Sequence, residues 1–197
     1  MSNLEHFLRW LVGMARPETQ TTQAERDCLA AHAAGKQSIA EIGVWHGVTT
    51  CQLRAVMAHF GTLFAVDPYP VGRLGFSIPR FIAHHECSKV AGGQIVWIRA
   101  RGVQASERFQ RAGVRLDFVF IDGDHSYEGL EGDWTSLTPL ISEGGIVALH
   151  DSRSYADRQI DDSGSVLYTK SVVLKDSRFE VIQVVDSLTL LRRARIP

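Results

Sequence analysis

Glu41, Asp67, Asp122 and Asp151 each fall at the end of a short apolar run. A buried carboxylate is costly without a partner, and ligands of open parallel sheets bind beyond the carboxyl ends of the strands. Four acids at such ends mark a polar rim built to receive a ligand. The first turn, Glu41-Ile42-Gly43-Val44-Trp45-His46-Gly47, has glycines four apart rather than in G-x-G-x-x-G spacing, which argues against a Rossmann oxidoreductase. Gly43 permits a tight turn, and Gly47 is expected to let a ligand approach the next helix. Thr49 and Thr50 fall in that helix's first turn, where hydroxyls and free amides can hold a carboxylate. Asp67, twenty residues after Gly47, stands where an acid accepts hydrogen bonds from ribose hydroxyls. Asp122 and Asp151, ending neighbouring strands, can converge on one hard cation such as magnesium.

Alternating elements must carry these residues. Leu4, Phe7, Leu8, Leu11 and Val12 recur at helical spacing, with Pro17 as the stop. Thr22 and Glu25 make a capping box for a second helix that runs to Gly35. Strands are expected at 38–43, 62–66, 94–98, 116–121 and 146–149, and helices from Val48 to Phe60, from Arg80 to about Lys89, from Ala105 to Arg111, from Tyr127 onward and from Ser165 to Leu174. Phe179–Val185 and Leu188–Leu191 flank Asp186-Ser187 as a hairpin. Strand, helix, strand order requires parallel pairing. The predicted fold class is α/β: a Rossmann-like, doubly wound, mostly parallel sheet with a C-terminal antiparallel β-hairpin and helices on both faces. One domain is expected over 1–197, with 1–37 as an N-terminal helical cap and 69–89 as a lid insertion.

The 197 residues carry 45% hydrophobic and 22% charged side chains and a net charge of −1, so no global field draws the chain to nucleic acid. The Leu191–Arg195 tail, rich in arginine, reads as a solvated chain end. No apolar run approaches the ~20 residues of a membrane span. Cys28, Cys51 and Cys87 lack metal or redox-motif spacing and read as reduced thiols of a cytoplasmic protein.

The segment Ala40–Thr50 resembles the first motif of class I S-adenosylmethionine-dependent methyltransferases. Phe120-Ile121-Asp122-Gly123-Asp124-His125-Ser126-Tyr127 and Gly144-Gly145-Ile146-Val147-Ala148-Leu149-His150-Asp151 resemble its later motifs, in the small-molecule O-methyltransferase branch. The resemblance implies S-adenosylmethionine as cofactor, with Glu41, Gly43 and Gly47 along its methionine end and Asp67 on its ribose. Trp45, Thr50 and Asp122 complete the expected cofactor set. It implies methyl transfer to a hydroxyl of a small molecule, with His125 or Asp124 as base. An assisting divalent metal, Mg2+ or another, would be held by Asp122, Asp151 and His150. Metal-dependent relatives follow the fifth-strand acid with Asn or Asp, and this chain has Ser152; where relatives carry an adenine-contacting Gly-Asp-Ser it has Gly102-Val103-Gln104. The expected partner is a small hydroxylated substrate, with neither nucleic acid nor membrane; a homo-oligomer is in keeping with related small domains.

Plainer roles compete for several of these residues. Asp122 can hold the cofactor's ammonium without a metal, Asp124 can cap the next helix, and His150 can be a core histidine. Trp45 suits a cofactor wall or a core anchor equally. Tyr127 and Trp134 read as helix packing, and His84-His85 as a solvated helix face. The alternative function is a cofactor-binding sensor or partner subunit without turnover.

Overall fold

The computed structural model describes residues 3–72 and 75–195. Seven strands form one sheet: β1 (Ser38–Ile42), β2 (Thr62–Val66), β3 (Gln94–Ile98), β4 (Leu116–Ile121), β5 (Ile141–Leu149), β6 (Phe179–Val185) and β7 (Leu188–Arg193). Their order is β3-β2-β1-β4-β5-β7-β6; the first five run parallel, and β7 is antiparallel to both β5 and β6. This is the predicted doubly wound sheet with its terminal hairpin. Strand order reverses between β1 and β4, the switch point where open sheets bind ligands. Ile42 pairs with Val66 and Ile121, and Ile121 with Leu149, so four strands end level. Asp67, Asp122 and His150-Asp151 therefore leave the sheet along one rim.

The described residues include seven α-helices: α1 (Asn3–Leu11), α2 (Gln23–Ala33), α3 (Val48–Val56), α4 (Ile78–Ser88), α5 (Gly102–Arg111), α6 (Tyr127–Leu137) and α7 (Gly164–Ser171). Burial on both faces explains the near-continuous apolar run of β4. Phe118 and Phe120 pack with Leu29, Leu53 and Leu190, whereas Val119 and Ile121 pack with Phe109, Trp134 and Tyr168. Each such side chain, fully buried, contributes about 1.5–3 kcal/mol. Tyr127 and Trp134 belong to this packing, as expected. The capping box also forms: Thr22 Oγ1 accepts from the Glu25 amide at 3.1 Å, and Glu25 Oε2 from the Thr22 amide at 2.8 Å.

Several local expectations are corrected. Helix α1 stops at Leu11 because Gly13 turns left-handed (φ 75°), well before Pro17. It docks through Phe7 and Trp10 on Ile82, leaving Leu4, Leu8, Leu11 and Val12 exposed, so the apolar stripe read from spacing is not the buried face. Helix α3 ends at Val56 and Phe60 is exposed. Helix α4 begins at Ile78, since Pro79 is tolerated in a first turn. Helix α7 ends at Ser171 and is followed by a 3-10 turn. Strand β5 starts at Ile141 and absorbs Gly144-Gly145 at a register shift. The basic tail is tied down: Arg193 donates to the Ile141 carbonyl at 2.6 Å, and Arg192 pairs with Glu180 at 3.5 Å. Among the described residues no helix is long and apolar enough to cross a membrane.

Candidate active site

A cavity of about 620 Å³ opens at the level rim, within the range of small-molecule sites. Glu41, Asp67 and Asp122 line it, together with Gly43, Trp45, Asp124 and His125. The turn after β1 is held tightly. Gly43 sits at φ 89°, and a Cβ there would lie 2.0 Å from the Asp122 carbonyl oxygen, so only glycine fits. Asp67 Oδ2 accepts the amides of Val44 and Trp45, each at 3.0 Å, and Oδ1 that of Tyr69 at 2.7 Å. Its carboxylate thus builds the turn and keeps limited acceptor capacity toward the cavity.

Gly47 and Thr50, expected against the ligand, do not line the cavity. A Cβ on Gly47 would meet Ala83 of α4 at 3.0 Å, so this glycine serves helix packing. Thr50 acts one step back, its hydroxyl donating to Glu41 Oε2 at 2.5 Å. Burial pushes the Glu41 carboxyl well up, against that hydrogen bond, and the charges of Asp122 and Asp67 add to the rise. A cation entering the cavity would relieve the strain on this charge. Trp45 (φ 50°) stacks on His46 at 4.6 Å, and His46 on His6 of α1 at 5.1 Å, so Trp45 is both cavity wall and anchor.

At the far side His150 is enclosed by acids. Its Nδ1 lies 2.8 Å from Asp122 Oδ1 and its Nε2 3.3 Å from Glu25 Oε2. Neither contact has hydrogen-bond alignment, so these are ion pairs. Burial opposes the charge on His150, but Asp122 and Glu25 outweigh it and hold the imidazole up at about 10. Glu25 shows the converse: burial would raise it, yet His150, then Ser187 and Thr22, bring it down to about 2. Asp151 (φ 48°) is buried and gives Oδ2 to Arg158 at 2.5 Å. His125 faces the cavity with Nε2 3.7 Å from Asp122 Oδ1 and Nδ1 3.8 Å from Asp151 Oδ2. Asp124 is exposed, and its Oδ1 accepts the Ser126 amide at 3.0 Å, which lowers its carboxyl.

The expected magnesium pair is therefore not assembled. Asp122, His125 and His150 do bring one ligand atom each within 4.8 Å of the others. Two rings and one carboxylate are not the oxygen shell that magnesium takes, and both nitrogens of His150 already face carboxylates. Arg158 engages Asp151 Oδ2, and Asp151 Oδ1 lies 3.7 Å from His150 Nδ1 with no hydrogen-bond partner. These residues do not fit magnesium.

Four contributions escaped the sequence reading. Glu25 was legible only as a cap. Arg158 lies in an irregular stretch with no periodic signal. Glu18, Thr19 and Gln20 line the cavity, whereas nothing described in 69–89 does; residues 73 and 74 of that expected lid lie outside the described residues. Asp133 of α6 is buried and lines the cavity among Gly102, Gly123 and Gly132, its carboxyl raised by burial and by Asp124 to about 6. Glycines inside a helical run, here Gly129 and Gly132, were the available signal, because they cost stability unless something must approach. Gly102 and Val103, where relatives carry the adenine-contacting Gly-Asp-Ser, line the cavity, while Gln104 turns back to accept the Arg101 amide at 3.2 Å.

Among solved structures, the chain is similar to an O-methyltransferase from Bacillus cereus in complex with SAH (TM-score 0.64, 16% identity, covering 99% of this chain and 91% of that one). It is similar to the O-methyltransferase TomG from Streptomyces achromogenes, involved in tomaymycin synthesis, in complex with SAM (TM-score 0.64, 15% identity, 99% and 91%). The N-methyltransferase NodS from Bradyrhizobium japonicum shares the fold too (TM-score 0.58, 12% identity, 87% and 93%). No curated protein sequence matches the chain. A family model described as a methyltransferase domain matches residues 40–152, from within β1 to just past β5. The chain belongs to that methyltransferase domain family.

Proposed function

We propose that this protein transfers the methyl group of S-adenosylmethionine to a hydroxyl of a small molecule, with His125 as the base and without a divalent ion. The observation that carries this reading is the buried Glu41 carboxyl, which opens on the cavity beside Asp122 and Asp67 and, among the described residues, is paired with no cationic side chain. S-adenosylmethionine, when bound, supplies an ammonium for that carboxylate and an activated methyl for in-line displacement. Asp133 in its glycine-lined corner suits the amino edge of the adenine, in place of the acid absent at Val103. His125 receives the hydroxyl proton as oxygen attacks, and Asp122 and Asp151 stabilise the imidazolium that results. His150 and Arg158 balance the charge of those two carboxylates from outside the cavity.

Two results check this reading. With labelled cofactor and a panel of hydroxyl and amine acceptors, transfer to a hydroxyl is expected at full rate in excess chelator. Loss of transfer that added divalent metal restores would contradict the metal-free account, and turnover on amines alone would reassign the acceptor. Glu41→Gln keeps the Thr50 hydrogen bond but removes the charge. A hydrogen bond to a charged group is worth about 1.5–3 kcal/mol, so cofactor Kd should rise roughly 10- to 150-fold. The unliganded variant should melt no lower than wild type, because a costly buried carboxylate is gone; unchanged affinity would remove Glu41 from the site.

A further inference from the structure

Cys51 and Cys87 are 36 residues apart in sequence, yet α3 and α4 bring their Sγ atoms to 3.1 Å. An S–S bond of ~2.05 Å requires only about 1 Å of further approach. The helices are also fixed in register at this point. Arg54, one turn beyond Cys51, donates to the Cys87 carbonyl at 2.6 Å and to the Gly93 carbonyl at 3.0 Å. Gly47 packs directly on Ala83, one turn before Cys87. Cys51 is partly buried and Cys87 is fully buried, the arrangement of an attacking and a resolving thiol. Cys28 is buried on α2 within a different packing cluster.

We propose that Cys51 and Cys87 form a redox-active pair that a hydroperoxide converts into a reversible disulfide joining α3 to α4. The hydrogen bond with Cys87 holds the Cys51 thiol below its usual range; burial and Glu86 oppose this, while Arg54 and Lys89 assist. The Cys51 thiolate attacks the terminal peroxide oxygen and the O–O bond breaks. Cys51 becomes a sulfenic acid, and the leaving oxygen takes a proton from solvent. The Cys87 sulfur then attacks Cys51 Sγ, forming the S–S bond as the S–O bond breaks. The departing hydroxide leaves as water with the Cys87 proton. Two thiols are oxidised and one hydrogen peroxide is reduced to two waters. The bond lies directly behind the first turn of α3, which holds Thr50 against Glu41, so oxidation clamps the wall of the cofactor cavity to α4.

The test is treatment of the whole protein with stoichiometric hydrogen peroxide, followed by intact mass and peptide mapping. The expected result is loss of two hydrogens, a Cys51–Cys87 linked peptide, free Cys28, and a Tm several degrees higher, all reversed by dithiothreitol. In Cys87→Ser a dimedone adduct should accumulate at Cys51, and in Cys51→Ser none should form at Cys87. Disulfides through Cys28 or between chains, or Cys51 running on to sulfinic acid in wild type, would overturn the pairing.

Discussion

His125→Ala should lower turnover on a hydroxyl acceptor by about 10²- to 10⁴-fold, the usual worth of a positioned general base. That is about 3–5 kcal/mol of barrier. Cofactor Kd should stay within about threefold of wild type, because the side chain reaches Asp122 only at 3.7 Å and fixes no part of the β1 turn. The loss should shrink for acceptors acidic enough to ionise unaided, so a series of phenols of falling pKa gives a graded result. Asp124 is the competing base. Its carboxylate is committed to the Ser126 amide and its proton affinity is lowered by that bond, so Asp124→Asn should cost far less turnover. The reverse ranking would move the proton to Asp124.

The second large effect falls on stability. Glu25→Ala removes the carboxylate that faces His150 Nε2 and accepts the Ser187 amide at 2.9 Å and its hydroxyl at 2.7 Å. Breaking a buried ion pair from one side costs about 3–5 kcal/mol. In a chain of this length that is roughly 6–20 °C in Tm. Glu25→Gln retains hydrogen-bonding capacity and should lose less. The pH profile carries the same signature. Glu25 is depressed from 4.5 to about 2, so its contribution is present above about pH 4.5 and lost as pH falls toward 2. His150 is raised from 6.5 to about 10, so its contribution is full below pH 6.5 and lost as pH rises through 10. Wild-type stability should therefore plateau between these limits, and Glu25→Ala should flatten both flanks. A Tm within about 2 °C of wild type would show the enclosure to be energetically idle.

The sheet was legible because apolar runs with acids at their ends have few alternative placements. Five parallel strands and a hairpin followed from alternation and turn residues. Their level register then put Glu41, Asp67, Asp122, Asp124 and His125 around one cavity. What stayed hidden depends on tertiary context. Spacing alone offers α1 a wide apolar stripe, and only docking on α4 selects Phe7 and Trp10. Gly47 was read as ligand clearance, but the neighbour that needs its missing side chain is Ala83. Glu25 satisfies a local capping pattern so well that its second role, 125 residues away at His150, leaves no local trace. Arg158 comes from a loop whose path no periodicity encodes, yet it pairs with one of the two Asp151 oxygens.

The most direct measurement is calorimetric titration of the purified protein with S-adenosylmethionine and S-adenosylhomocysteine, in chelator, beside Glu41→Gln. One site per chain with saturable heat for both ligands, at least tenfold weaker in the variant, is the predicted result. Absence of binding by wild type, or equal affinity in the two proteins, would contradict the assignment of the rim to this cofactor.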